Sequence, residues 1–112
     1  MKSAIILGTR PEIIKLSPII KKLNKKNSVV IFTGQHYDYE LSKIFFNDLG
    51  IRQPDYFLKI DKTHPGKQIG QLIIKLSDIL QNIDPENVIV QGDTNTALSG
   101  GLSAIKCKIP LF

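Results

Sequence analysis

Residues 3–12 read Ser3-Ala4-Ile5-Ile6-Leu7-Gly8-Thr9-Arg10-Pro11-Glu12. The first half is an apolar run of strand length, suited to burial on both faces of a sheet. A glycine ends it, and Pro11 fits the first position of a helix, where its missing N–H would have had no partner anyway. The stretch therefore predicts a strand that turns directly into a helix. The N–H groups of a helix start are free and favour an anion, and Arg10 sets a fixed positive charge beside them. A phosphate-bearing ligand suits such a turn.

The same alternation recurs along the chain. Further β-like runs lie at Ser28 to Thr33, Asn87 to Gln91 and Ile109 to Phe112, with a weaker extended piece at Tyr56 to Ile60. Ile13, Leu16, Ile20 and Leu23 give the first helix its apolar stripe, and Pro18 is expected to kink that helix by removing a bond to Ile14. A second helix spans about Asp38 to Leu49, carries Leu41, Ile44, Phe45 and Leu49, and stops at Gly50. A third follows Pro65-Gly66 with Ile69, Leu72, Ile73, Leu76, Ile79 and Leu80 inward, ending before Pro85. A fourth starts near Thr94 and holds Ala97, Gly100, Gly101 and Ala104, small enough for close approach to a sheet. Strands alternating with helices predict an α/β, Rossmann-like, mainly parallel sheet with flanking helices. Ile109-Pro110-Leu111-Phe112 reads as the opening of one more buried strand, so the chain is expected to be a fragment cut within an element.

Composition narrows the partners. The 112 residues suit one domain, and an apolar fraction of 42% with 22% charged residues is that of a globular rather than a disordered chain. No apolar run reaches membrane-span length and none at the start resembles a secretory signal, so a cytoplasmic protein without membrane contact is expected. The single cysteine, Cys107, cannot close an internal disulfide. The net charge of +5 comes partly from Lys21, Lys22, Lys25 and Lys26, which cluster where the first helix should end and complement its dipole. No aromatic residues interleave with them, which argues against nucleic acid.

In open α/β sheets ligands bind beyond the carboxyl ends of parallel strands. Three polar loops follow strands here: Gly8 to Glu12, Thr33-Gly34-Gln35-His36, and Gln91-Gly92-Asp93-Thr94-Asn95-Thr96. If the sheet is parallel, they converge. Arg10 can offer its planar fork to phosphate oxygens, or pair with Glu12 on the surface. Lys15, a turn further on, either reaches back toward the anion or is a solvated lysine. Asp93 can be held in a cleft with its acidity weakened by desolvation, as acid/base chemistry requires, or else Asp93, Thr94 or Asn95 caps the fourth helix. His36 suits proton transfer or phosphate contact, whereas His64, before Pro65, reads as a turn residue. Gly34 and Gly92 read as positions of positive φ or close ligand approach. No dinucleotide fingerprint, phosphate loop or metal-ligand spacing is present, which disfavours nicotinamide, ATP and zinc chemistry.

Gly8-Thr9-Arg10-Pro11-Glu12 with Ile14-Lys15 and Pro18, then Thr33-Gly34-Gln35-His36, then Gln91-Gly92-Asp93-Thr94, resemble in order and spacing the UDP-N-acetylglucosamine 2-epimerases. Phe45-Phe46-Asn47-Asp48-Leu49-Gly50-Ile51 and Pro54-Asp55-Tyr56 are similar to the non-hydrolysing branch. The resemblance implies two Rossmann-like domains in a GT-B arrangement, of which residues 1–112 are an incomplete N-terminal domain without the C-terminal nucleotide-binding one. It also implies interconversion of UDP-N-acetylglucosamine and UDP-N-acetylmannosamine for cell-surface polysaccharides, with no cofactor and no metal, in a homodimer. Arg10 and Lys15 match active-site positions near the diphosphate, Asp93 matches an active-site carboxylate, and Gln35 and His36 match a loop that binds an activating UDP-N-acetylglucosamine. Tyr37-Asp38 departs from the bacterial pattern there. The family's later carboxylates lie outside these residues, so the chain alone is expected to be inactive. The alternatives are a UDP-sugar or phosphate-ligand binding domain without catalysis, and a flavodoxin-like regulatory module.

Overall fold

Side chains alternate along β1 (Ser3–Leu7): Ile5 and Leu7 join one apolar cluster, Ala4 and Ile6 another, and all four are buried. A strand apolar on both sides must be covered on both. The computed structural model describes residues 2–34, 39–61 and 63–112. The other elements are α1 (Arg10–Lys22), β2 (Ser28–Phe32), α2 (Tyr39–Asp48), β3 (Tyr56–Phe57), α3 (Pro65–Ile83), β4 (Asn87–Ile89) and α4 (Asn95–Lys106). Helices α1 and α2 pack on the face of Ile5, Leu7, Val30 and Phe32, while α3 and α4 pack on that of Ala4, Ile6, Val29, Ile31 and Val88.

The strands are ordered β3-β2-β1-β4, and every pairing is parallel. β1 is central, in register with β2 from Ser3↔Ser28 to Leu7↔Phe32 and with β4 from Ser3↔Asn87 to Ile5↔Ile89. The chain thus leaves β1 in one direction through β2 and β3, then crosses back to place β4 on the other side. That reversal makes the gap between the ends of β1 and β4 a topological switch point. The expected Rossmann-like parallel sheet is present.

Some boundaries differ from expectation. β2 stops at Phe32, β4 at Ile89, and the extended piece after Tyr56 pairs only through Phe57. Leu111 makes a single parallel bridge to Val88, supported by Val88 N–H to Pro110 O (2.8 Å), Phe112 N–H to Val88 O (2.8 Å) and Val90 N–H to Phe112 O (3.0 Å). The final run therefore lies along the free edge of β4, but not as the buried strand expected, because Pro110, Leu111 and Phe112 are exposed.

Helix chemistry explains the remaining differences. In α1 Thr9 is the N-cap, so Arg10 takes the first helical position and Pro11 the second. The helix continues through Pro18, and the Ser17 hydroxyl donates to Ile14 O at 3.0 Å. That carbonyl is the one Pro18 cannot serve. α2 ends in a Schellman motif: Gly50, at φ +67°, donates to Asn47 O and Ile51 donates to Phe46 O. Phe46, fully buried edge-on against Phe32 at 5.5 Å between centroids, is the anchor of α2. Leu41 and Ile44, placed on the apolar stripe by periodicity, are instead 39% and 52% exposed. His64 is more than a turn residue, because its Nδ1 accepts from Gly66 N–H (3.1 Å) and Lys67 N–H (3.4 Å) as the cap of α3. Gly100 lets α4 lie against the sheet, since a Cβ there would stand 2.9 Å from Val90 Cγ1.

Candidate functional site

Parallel register carries the ends of β1, β2 and β4 to one edge of the sheet, so the loops starting at Gly8, Thr33 and Val90 share that edge. They are also bonded to one another. Thr33 N–H donates to Leu7 O at 2.9 Å, and the Thr33 and Thr96 hydroxyls, both fully buried, are 2.8 Å apart and hydrogen-bonded. The convergence expected from a parallel sheet is present for these described segments. Gln35 and His36, like Tyr37 and Asp38, lie outside the described residues.

At the switch point the tie is Glu12. Its side chain is 2% exposed; Oε1 accepts from Gly8 N–H (2.8 Å) and Thr9 N–H (3.0 Å), and Oε2 accepts the Thr94 hydroxyl proton at 2.5 Å. A buried carboxylate is tolerable when its lone pairs are filled by donors and it lies at a helix start, where the dipole favours negative charge. Thr94 in turn accepts from Ala97 N–H at 3.2 Å and so caps α4. This corrects the first reading of the β1–α1 turn. The N–H groups of Gly8 and Thr9 are not open to a phosphate, because the turn already holds an anion of its own.

The charged candidates sit around this tie. Arg10 is exposed, and its guanidinium carbon lies 5.0 Å from the centroid of the Phe45 ring. A cation over the face of an aromatic ring is attracted by the ring quadrupole. The Arg10–Glu12 pair, the alternative to phosphate binding, does not form, and Glu12 is engaged by Gly8, Thr9 and Thr94 instead. Lys15 is exposed on α1. Asp93 stands beside Thr94 and is exposed, which corrects the expectation of a desolvated carboxylate; nor is it the cap of α4, because Thr94 is. Gly34 and Gly92 have φ of +64° and +89°, as expected. At Gly92 conformation rather than space demands glycine, because a Cβ would meet only Glu12 Oε2, at 4.0 Å.

Thr94 caps α4 as one of the three candidates offered for that role, whereas the tie made by Glu12 and the contact of Phe45 with Arg10 are the parts that sequence reasoning passed over. A signal for Glu12 was present, because Thr9-x-x-Glu12 is a capping-box pattern in which the glutamate returns to the N-cap N–H. No such local pattern exists for Phe45. Among the described residues no three His, Cys, Asp or Glu side chains cluster closely enough to hold a metal. No helix of the described residues is long and apolar enough to cross a membrane. Arg10 and Asp93 are thus both exposed, on the two segments that the Glu12–Thr94 bond joins.

Comparison with known proteins bears on this edge. A family model described as UDP-N-acetylglucosamine 2-epimerase matches residues 20–112. The chain is 50% identical over 111 residues to a UDP-N-acetylglucosamine 2-epimerase of Methanocaldococcus jannaschii, covering 97% of this chain and 30% of that protein. It is 46% identical over 110 residues to one from Methanococcus maripaludis, covering 98% of this chain and again 30% of the relative. A crystal structure of the Methanocaldococcus jannaschii UDP-GlcNAc 2-epimerase in complex with UDP-GlcNAc and UDP superposes with a TM-score of 0.91 at 48% identity, covering 99% of this chain and 31% of that one. The chain thus spans under a third of the length of the relatives it matches.

Proposed function

The chain belongs to the UDP-N-acetylglucosamine 2-epimerase family, and on that premise we propose that it supplies one wall of an epimerase active site. In this reading residues 1–112 are part of the N-terminal Rossmann-like domain of a two-domain GT-B arrangement, and the nucleotide sugar lies between this domain and a second one. The whole protein interconverts UDP-N-acetylglucosamine and UDP-N-acetylmannosamine in the cytoplasm, as a homodimer, for polysaccharide biosynthesis.

The reaction inverts C2 of the sugar. A base takes the C2 proton, the C1–O bond breaks with its electron pair leaving on UDP, and a C1–C2 double bond forms to give 2-acetamidoglucal. A proton then returns to the opposite face of C2 while the UDP oxygen re-forms the bond to C1. Carboxylates serve the two proton transfers, and cations hold the departing diphosphate. Asp93 is assigned to proton transfer. Arg10 and Lys15 are assigned to the diphosphate, with Arg10 pre-oriented by Phe45. Gln35 and His36 are assigned to substrate or effector binding on the neighbouring loop.

One observation carries this reading: the Glu12–Thr94 bond holds the Arg10-bearing turn and the Asp93-bearing loop at one switch point. The test is a chimera in which residues 1–112 replace the matching third of the Methanocaldococcus jannaschii enzyme. It should exchange the C2 proton of UDP-N-acetylglucosamine with solvent deuterium and form the C2 epimer, with Asp93→Asn and Arg10→Ala each lowering the rate about 100-fold or more. A folded chimera that binds UDP without exchange would favour a binding domain instead. The 112-residue chain alone should form no C2 epimer, because one carboxylate cannot serve both faces of C2.

A further inference from the structure

The β1–α1 turn has the form of an anion seat, yet its occupant is the protein's own Glu12. We propose that Glu12 is a positioning residue that sets the place of Asp93 through Thr94, an inference that rests on the epimerase reading for its catalytic meaning. Three observations carry it.

First, Glu12 spends a buried negative charge on this one contact network. Burying a carboxylate is costly unless donors surround it, and a neutral or apolar residue could occupy a helix third position without that cost. Here one oxygen takes two backbone N–H groups, and the other is left for a single hydroxyl 82 residues away. Second, Thr94 has only one proton to give. Donating it to Glu12 leaves its lone pairs for Ala97 N–H, so one bond fixes both the rotamer of Thr94 and the start of α4. Third, Asp93 lies between Gly92, at φ +89°, and Thr94. With the next residue tied down, the carboxylate is carried on a short segment whose far end is fixed to α1. Without Glu12, the Thr94 hydroxyl is free to leave the rotamer that caps α4, and Asp93 gains freedom beside the reacting atoms.

The experiment is NMR on the ligand-free 112-residue chain. Glu12→Ala should shift the amide signals of Asp93 and Thr94 and speed exchange at Ala97 N–H about tenfold or more. Glu12→Gln, which keeps an acceptor for Gly8 and Thr9 and a polar group for Thr94, should restore most of both. Arg52→Met, which destabilises the opposite edge of the sheet, should leave the Asp93–Ala97 signals unchanged, and so separates positioning from general loss of stability. If Glu12→Ala does not fold, Thr94→Val reads the same tie in reverse, with shifts expected at Gly8 and Thr9. Changes confined to Gly8 and Thr9 in Glu12→Ala, or no change there in Thr94→Val, would overturn the proposal. An inactive chimera would count against the epimerase reading alone, since these spectra are recorded without substrate.

Discussion

The Arg52 guanidinium donates to both the carbonyl (3.1 Å) and the hydroxyl oxygen (2.7 Å) of Ser28. Its other terminal nitrogen reaches Leu23 O at 3.2 Å and Ile20 O at 3.4 Å, the open end of α1, and Asp55 stands 3.8 Å away. One side chain therefore fastens the last turn of α1 to the start of β2. Replacement by Met should lower stability by about 2–4 kcal/mol, read as a urea midpoint lower by about 1 M or more. Arg52→Lys should recover less than half of the loss, because a point ammonium cannot address four acceptors with a planar fork. A wild-type midpoint in the Lys variant would refute this role.

Gly100→Ala tests how closely α4 approaches the sheet. Ala is the better helix former by about 1 kcal/mol, which alone would stabilise. Against that, the new Cβ would stand 2.9 Å from Val90 Cγ1 and 3.3 Å from Ile6 Cδ1, contacts that force one of them aside. Overpacking of this kind costs about 1–3 kcal/mol, so a net loss of about 1 kcal/mol in chemical denaturation is expected. A gain would mean that α4 can move outward freely.

Arg10 should carry a spectroscopic mark of Phe45. A guanidinium 5.0 Å from a ring centroid lies in the shielding region of the ring, so the Arg10 Nε–H signal is expected upfield of a free arginine. Phe45→Leu should return it to the free position without unfolding the chain. An unchanged signal would show that the stack does not persist in solution.

The Asp61 carboxyl is held below the usual carboxylate range, first by the hydrogen bond from the Thr63 hydroxyl and then by the one from Thr63 N–H at 2.7 Å. Its reference value is 3.8. A group whose pKa is depressed by folding stabilises the native state above the unfolded value, and that contribution is lost as pH falls through the lower folded value. A carbon-detected titration should therefore place the Asp61 midpoint below 3.8. Thr63→Ala, which removes the larger of the two causes, should move it up toward that value, and an unmoved midpoint would count against the hydroxyl.

The fold was readable because its signals are local. Apolar runs bounded by Gly8, Gly34 and Gly92 locate three strand ends, and Pro11, Gly50 and Pro65 punctuate the helices within a residue or two. The orientation of α2 was less legible, since Phe45 and Phe46 are adjacent and only contact with Phe32 determines which one turns inward. At the candidate site the sequence indicated which loops meet but not how their residues divide the work. Asp93, Thr94 and Asn95 are all competent helix caps, so local chemistry is degenerate there. Glu12, far away in sequence, removes the degeneracy by engaging the Thr94 hydroxyl. The contact of the Arg10 guanidinium with the Phe45 ring is likewise tertiary and has no local signature.

The order β3-β2-β1-β4 has a consequence for how the polypeptide matures. A ribosome delivers β1 and β2 early, and they can join through α1 with Glu12 already in its turn. The hydroxyl that completes its shell is made 82 residues later, after β4, the strand on the other flank of β1. Until β4 arrives, one flank of β1 is an unpaired strand edge beside a carboxylate lacking its third donor. Nascent chains that stall before β4 therefore leave that edge exposed, and docking of β4 hides the edge and brings in the loop whose Thr94 hydroxyl completes the Glu12 shell.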